Sequence, residues 1–405
     1  MSVCKTFFAF IFLALFLPPC VVFSQNFTEI YRSGVDSEEN GALDEALTRY
    51  NEALKLAPQS SHAWAKRGEL YLRRGDPKSA IRDLTQAVKL DPAYAAAYTR
   101  LGFAYNALNE YDKGIEALSN AVRLEPASSE AYNTRGFSFN GKNEFDKAIK
   151  DFDKAILLNP NEARYYNNRG FALNNSGEYE KAIEDFDKAI KIDSSNSMFF
   201  NNRGVAHMRM KQFDKAIEDF NKSIEKNSSY SSAYHNRGQA LSGLGRHDKA
   251  VEEFNKVIEL NPDSPILFKD RGTAYLKLGE YELAKSDFDK TVELDKKSAP
   301  GYAALALLYA TSKDEKFKNP TLARKNAEKS IAMAGALAPE MYRNFAEVLW
   351  ELNQNQEAVN SLHKAASLDP SNKEIQDLMK KWGIQPQQRV EQNAPTKEIP
   401  FTHLW

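Results

Sequence analysis

A glycine recurs every 34 residues through most of this chain: Gly34, Gly68, Gly102, Gly136, Gly170, Gly204, Gly238 and Gly272. A second small residue keeps the same period, as Ala46, Ala80, Gly114, Ala148, Ala182, Ala216, Ala250 and Ala284. Tyr, Leu or Phe follows each of these by four residues, from Tyr50 and Leu84 to Phe254 and Phe288. Eight units, residues 27–298, hold this register without an insertion. Each unit reads as two amphipathic helices joined by a short turn such as "NSGEY" at 175–179. The paired small residues mark where the two helices approach closely. One such hairpin cannot bury its apolar face alone, so neighbouring units must stack and share a core. The expected fold is all-α.

The aromatic–Gly–aromatic spacing of Trp64, Gly68 and Tyr71, followed by Ala80 and Pro92, resembles the tetratricopeptide repeat (TPR). That resemblance covers roughly residues 27–372. It implies a right-handed superhelical solenoid of about ten helix-turn-helix repeats whose first helices line a concave groove. It also implies a protein-binding scaffold. The period slips at residues 299–338, where the charged "SKDEKFKNP" turn lengthens the unit, and returns for 339–372. Residues 373–383 are expected to form a helix capping the last apolar face. From 384 to 405 the chain is polar and proline-rich and is expected to be a disordered tail. It ends in "IPFTHLW" (399–405), whose sharper reading is a docking peptide.

With each glycine numbered 8 in its repeat, position 7 is Arg67, Arg135, Arg169, Arg203, Arg237 and Arg271. Sixteen residues later, at position 23, stand Asp83, Asp151, Asp185, Asp219, Glu253 and Asp287. Repeats without the arginine lack the acid. An ion pair across each hairpin follows as the expectation. The alternative, pairing with the next repeat, fails because it sets Arg49 against Arg67.

Positions 2, 5, 6, 9 and 12 fall on the other side of the first helix, which the family resemblance places in the groove. Position 5 supplies Asn133, Asn167 and Asn201; position 6 supplies Asn168, Asn202, Asn236 and Asn344; position 12 supplies Asn106, Asn140 and Asn174. Phe103, Phe137 and Phe171 occupy position 9. Carboxamides offer both donor and acceptor to a peptide backbone, and aromatics offer contact area. These thirteen residues are the candidate peptide-binding row. The basic clamp that some TPR domains use for a terminal carboxylate is not clearly present, although Lys66 and Arg100 stand at two of its positions.

Composition narrows the rest. With 54 basic and 55 acidic residues the formal net charge is −1, so no whole-chain field points to nucleic acid or an anionic membrane. Residues 1–24 combine Lys5, an apolar run and small residues before Gln25, the pattern of a secretory signal peptide. Its removal would take both cysteines, Cys4 and Cys20, leaving no disulfide, thiolate or cysteine metal site. The mature chain would carry no membrane span and act in the periplasm or outside the cell; the alternative is that residues 1–24 stay attached as an uncleaved membrane anchor. Six histidines share no metal-like spacing, and no nucleophile elbow or phosphate loop appears. The expectation is a non-catalytic scaffold without cofactor or metal, binding a protein or extended peptide. The alternative is a structural or assembly subunit of an envelope complex, acting by self-association or through the convex face.

Overall fold

The computed structural model describes residues 19–335 and 337–385, with side chains from Asn26 onward. Residues 1–18, most of the expected leader, and 386–405, with the "IPFTHLW" segment, lie outside the described residues. The described residues form twenty-one α-helices and no strand. Twenty of them pair as ten consecutive hairpins, numbered here as repeats 1 to 10, and Lys373–Lys381 is the last. The first helix, Pro19–Glu39, begins ahead of residue 27, where the repeat register starts.

Repeat 5 shows why the sequence folds this way. Its helices are Ala163–Asn175 and Tyr179–Ile192. The 3.6-residue period puts Ala182, Phe186 and Ala189 on one buried stripe of the second helix. Gly170 lies against that stripe: a Cβ there would stand 2.9 Å from Phe186 Cε1. The helices can therefore pack only with hydrogen at this position. Between them the chain reverses through a left-handed residue, Gly177 at φ 88°. The equivalent position, 34 residues away each time, is Gly75, Gly245 or Gly279, or else Asn109 or Asn143, the types that tolerate positive φ. Lys211 adopts φ 58° at the same place in repeat 6.

Internal contacts divide the chain after Asn227 into two compact units, with repeats 1–6 in the first and repeats 7–10 and the final helix in the second. In the first, stacking fuses neighbouring hairpins into continuous cores, as where Leu173, Phe186 and Ala206 meet Ile149. In the second, repeat 9 departs from the pattern. Its helices, Ala299–Thr311 and Pro320–Ala334, are separated by an eight-residue connection, 312–319. That connection is anchored: Phe317 is buried with its ring 6.1 Å from Tyr281, and the Lys313 N–H donates to the Tyr281 hydroxyl at 3.1 Å. Helix Lys373–Lys381 lays Ile375, Leu378 and Met379 on Ala346, Leu362 and Ala365 of repeat 10. Trp382 stacks on Trp350 at 4.2 Å, and Ile384, at the start of the expected tail, packs into the same cluster.

Candidate functional site

The side chains that organise the first-helix faces are the position 7 arginines. Arg67, Arg135, Arg169, Arg203 and Arg271 each engage both carboxylate oxygens of their position 23 aspartate, and the Nε–Oδ2 distances of Arg169 and Arg203 are 2.7 and 2.9 Å. Arg237 reaches Glu253 at 2.7 Å. The acids are buried, and the arginines are mostly covered. Hydrogen bonds donated to Asp185 and Asp219 raise the pKa values of Arg169 and Arg203 above the ordinary arginine value, against the opposing effect of burial. Bidentate geometry of this kind suits the guanidinium fork and no other side chain.

The same arginines also reach backward, a contact the sequence reading missed. The Nη1 of Arg67 donates to Asn51 at 2.6 Å, that of Arg169 to Asp153 at 2.5 Å, and that of Arg271 to Asn255 at 2.7 Å. Arg135 meets Ser119 and Arg203 meets Asp187 in the same way. Each partner stands sixteen residues before its arginine, in the second helix of the preceding repeat. The guanidinium thus ties its own hairpin shut and fastens it to the hairpin before. An aromatic ring three residues upstream lies beneath it, with Trp64 at 4.7 Å from Arg67 and Tyr166 at 5.9 Å from Arg169. These arginines are occupied, and they hold the first helices in register.

On the other side of those helices the asparagines bond one another. Asn168 Nδ2 donates to Asn133 Oδ1 at 2.9 Å, and Asn202 Nδ2 donates to Asn167 Oδ1 at 2.9 Å. Longer bonds join Asn167 to Asn168 at 3.3 Å and Asn201 to Asn202 at 3.4 Å. Five carboxamides therefore form one row across repeats 4, 5 and 6. Asn167 and Asn201 are buried, whereas Asn133, Asn168 and Asn202 are half-exposed. A carboxamide has two N–H groups and two lone pairs. These bonds therefore leave Asn168 and Asn202 each with one donor and one acceptor to offer.

Beside the row, Asn133 and Asn168 line a cavity of about 320 Å³ together with Phe103, Phe137, Thr134 and Arg164. Phe103 and Phe137 are 52% and 47% exposed, and Phe171 on the next repeat is 44% exposed. An apolar opening framed by a few convergent polar groups is the usual form of a recognition pocket.

The position 12 asparagines differ from expectation. Asn106 is only 7% exposed; its Nδ2 donates to the Thr134 carbonyl at 3.2 Å, and its Oδ1 accepts from Ser138 Oγ at 2.7 Å. It fastens repeat 3 to repeat 4 from the cavity wall and is nearly buried there. Its room comes from Gly114, where a Cβ would stand 2.7 Å from Asn106 Oδ1. Repeats 5 and 6 carry Ala172 and Ala206 where repeat 4 has Ser138, so Asn140 and Asn174 have no such hydroxyl to meet, and their Oδ1 atoms are buried without a partner. Of the three, Asn106 joins the packing between repeats, whereas Asn140 and Asn174 are half-exposed.

In the second unit Asn236 is half-buried and hydrogen-bonded or otherwise engaged. His235 there reaches Asp270 at 2.7 Å, which also accepts from Gln239 at 2.9 Å. Burial opposes ionisation of Asp270, but bonds from His235 and Lys269 outweigh it and hold its pKa below the usual carboxylate value. Asn344 lines a separate, larger cavity of the second unit. No group of three or more His, Cys, Asp or Glu among the described residues could hold a metal ion. No described helix is long and apolar enough to cross a membrane.

Family models described as tetratricopeptide repeat match residues 31–94, 71–136, 129–162, 163–196, 198–230, 231–264, 270–298 and 339–372. The chain belongs to the tetratricopeptide repeat family. The matches skip 299–338, the repeat with the long connection. Among solved structures, a TPR protein from Parabacteroides merdae ATCC 43184 matches at 18% identity and TM-score 0.53, over 62% of this chain and 99% of that one. MamA matches at 32% identity and TM-score 0.37, over 40% of this chain and 94% of its own. PilW, described as a type IV pilus biogenesis factor, matches at 22% identity and TM-score 0.47, over 50% and 94%. A search of curated proteins finds no match. TPR proteins are generally non-catalytic interaction scaffolds, and membership points to protein partners for this one.

Proposed function

We propose that the first-helix face of repeats 3–6 binds an extended segment of a partner protein. The observation that carries this is the pairing of exposed Phe103 and Phe137 around a cavity beside Asn133 and Asn168. The rings supply apolar area for one side chain of the ligand. The remaining donor and acceptor of Asn168 and of Asn202 suit the alternating N–H and C=O groups of an extended backbone, which makes recognition tolerant of sequence. The leader-like composition of residues 1–24 supports export, so the partner sought is an envelope or extracellular protein.

The test begins by capturing and identifying a partner, then titrating the purified partner against wild-type protein and a Phe137→Ala/Asn168→Ala variant. Binding is expected to weaken at least tenfold, with unchanged helicity. Equal affinity for both proteins sinks the proposal.

A further inference from the structure

The second unit carries a cavity of about 760 Å³ on the same first-helix positions, but of different chemistry. Its charged lining is cationic: Lys269 and Lys277 of repeat 8, Lys313 of the long connection, and Arg343 of repeat 10. No carboxylate lines it. Lys269 is held by Asp270, and Arg343 lies 3.4 Å from Glu374 and 3.8 Å from Glu347. Lys277 and Lys313 are exposed, and among the described residues neither makes an ion pair. Leu276, Ala303, Ala304 and Leu307 give the wall an aliphatic patch, beside the neutral polar groups of Thr273, Thr311 and Asn344. Ala303 and Ala304 stand at positions 5 and 6 of repeat 9, where repeats 5 and 6 carry the asparagine row. The shift to alanine removes side chains from the wall and opens the cavity.

We infer that this cavity is a second binding site, selective for an acidic peptide segment in which Asp or Glu adjoins a bulky apolar residue. Charge complementarity assigns the carboxylates to Lys277 and Lys313, neither of which is in an ion pair; Glu347 acts on Lys277 only through space, and its own contact is with Arg343. The aliphatic wall takes the apolar neighbour, and removing that wall from water supplies what two exposed ion pairs cannot, since each contributes only about 0–1 kcal/mol. An inorganic anion would leave this wall uncovered. The site differs from the asparagine row of the first unit in both charge and lining, and it does not depend on the reading given to that row.

A phage-displayed library of random octapeptides, selected on the full chain, tests this. Selection is expected to enrich Asp or Glu beside Leu, Ile or Phe. A representative synthetic peptide should bind at least tenfold more weakly to Lys277→Gln/Lys313→Gln and weaken as sodium chloride rises. Its affinity should be the same for Phe137→Ala/Asn168→Ala, which separates this site from the row in the first unit. Both lysines are exposed, so an unchanged circular dichroism spectrum and thermal midpoint are expected for their variant. Absence of acidic–apolar enrichment, or equal binding by the lysine variant, overturns the proposal. Displacement of the peptide by inorganic phosphate at constant ionic strength would assign the cations to a phosphate-bearing ligand, and would equally overturn it.

Discussion

At the scale of single residues, Arg169 shows how one side chain settles two interfaces. Asp185 is buried beneath its fork, and Asp153 of the preceding repeat lies on its outer nitrogen. Replacing Arg169 with leucine leaves the buried Asp185 charge only the exposed Lys188, 3.9 Å away, as a partner, a change worth up to about 3–5 kcal/mol. Lysine should not rescue it, because an ammonium cannot bridge both oxygens. The expected result is a lower urea midpoint and faster amide exchange across 163–192, with partial recovery in Arg169→Leu/Asp185→Leu. Unchanged exchange in that segment would show the pair to be dispensable. The forward half of this contact was legible because the acid appears in every repeat that has the arginine. The backward half was not: Asn51, Ser119 and Asp153 look like ordinary helix surface. The overlooked signal was a small polar residue sixteen positions before each arginine. The asparagines were legible as one face of a helix. Their bonds to each other, 35 residues apart, depend on the offset between stacked repeats, which no single-helix periodicity contains.

Among the elements, the long connection of repeat 9 is where the sequence pattern and the structure part most usefully. The charged run at 312–319 reads as a solvated turn, yet a single aromatic, Phe317, fixes it against Tyr281 of repeat 8. A lone ring in a polar run has no period by which to mark itself as buried. Truncating it should cost about 3–5 kcal/mol locally, in the range for buried Phe→Ala, and should release the segment before the helices loosen. Limited trypsin digestion of Phe317→Ala is expected to cut first at Lys313, Lys316 or Lys318. Resistance equal to wild type would show the anchor lies elsewhere in the segment. Asn106 makes the related point for a helix face. Position 12 looked like part of the binding row, but the Ser138 hydroxyl draws Asn106 into the packing instead, in the room left by Gly114, the one glycine in the second small-residue series.

For the whole molecule, the 34-residue period made the architecture legible almost entirely, because a repeat that cannot bury its own face dictates what its neighbours must be. It also dictates what happens at the end of the array. Helix Lys373–Lys381 covers Ala346, Leu362 and Ala365 with Ile375, Leu378 and Met379. A chain ending at Asn372 should expose that surface and self-associate, seen as a concentration-dependent mass by light scattering. A chain ending at Gln385 should behave as the full chain does. Matching masses for all three would assign the end helix no capping role.

The asparagine row has one more consequence. Along it, Asn201 donates to Asn202, Asn202 to Asn167, Asn167 to Asn168, and Asn168 to Asn133. The amide dipoles are aligned head to tail and reinforce one another, so the row has a sense, as an arrow does. A strand laid along it would meet hydrogens and lone pairs in a fixed order. The row would therefore seat a peptide backbone in one N-to-C direction and not the other, whatever its side chains.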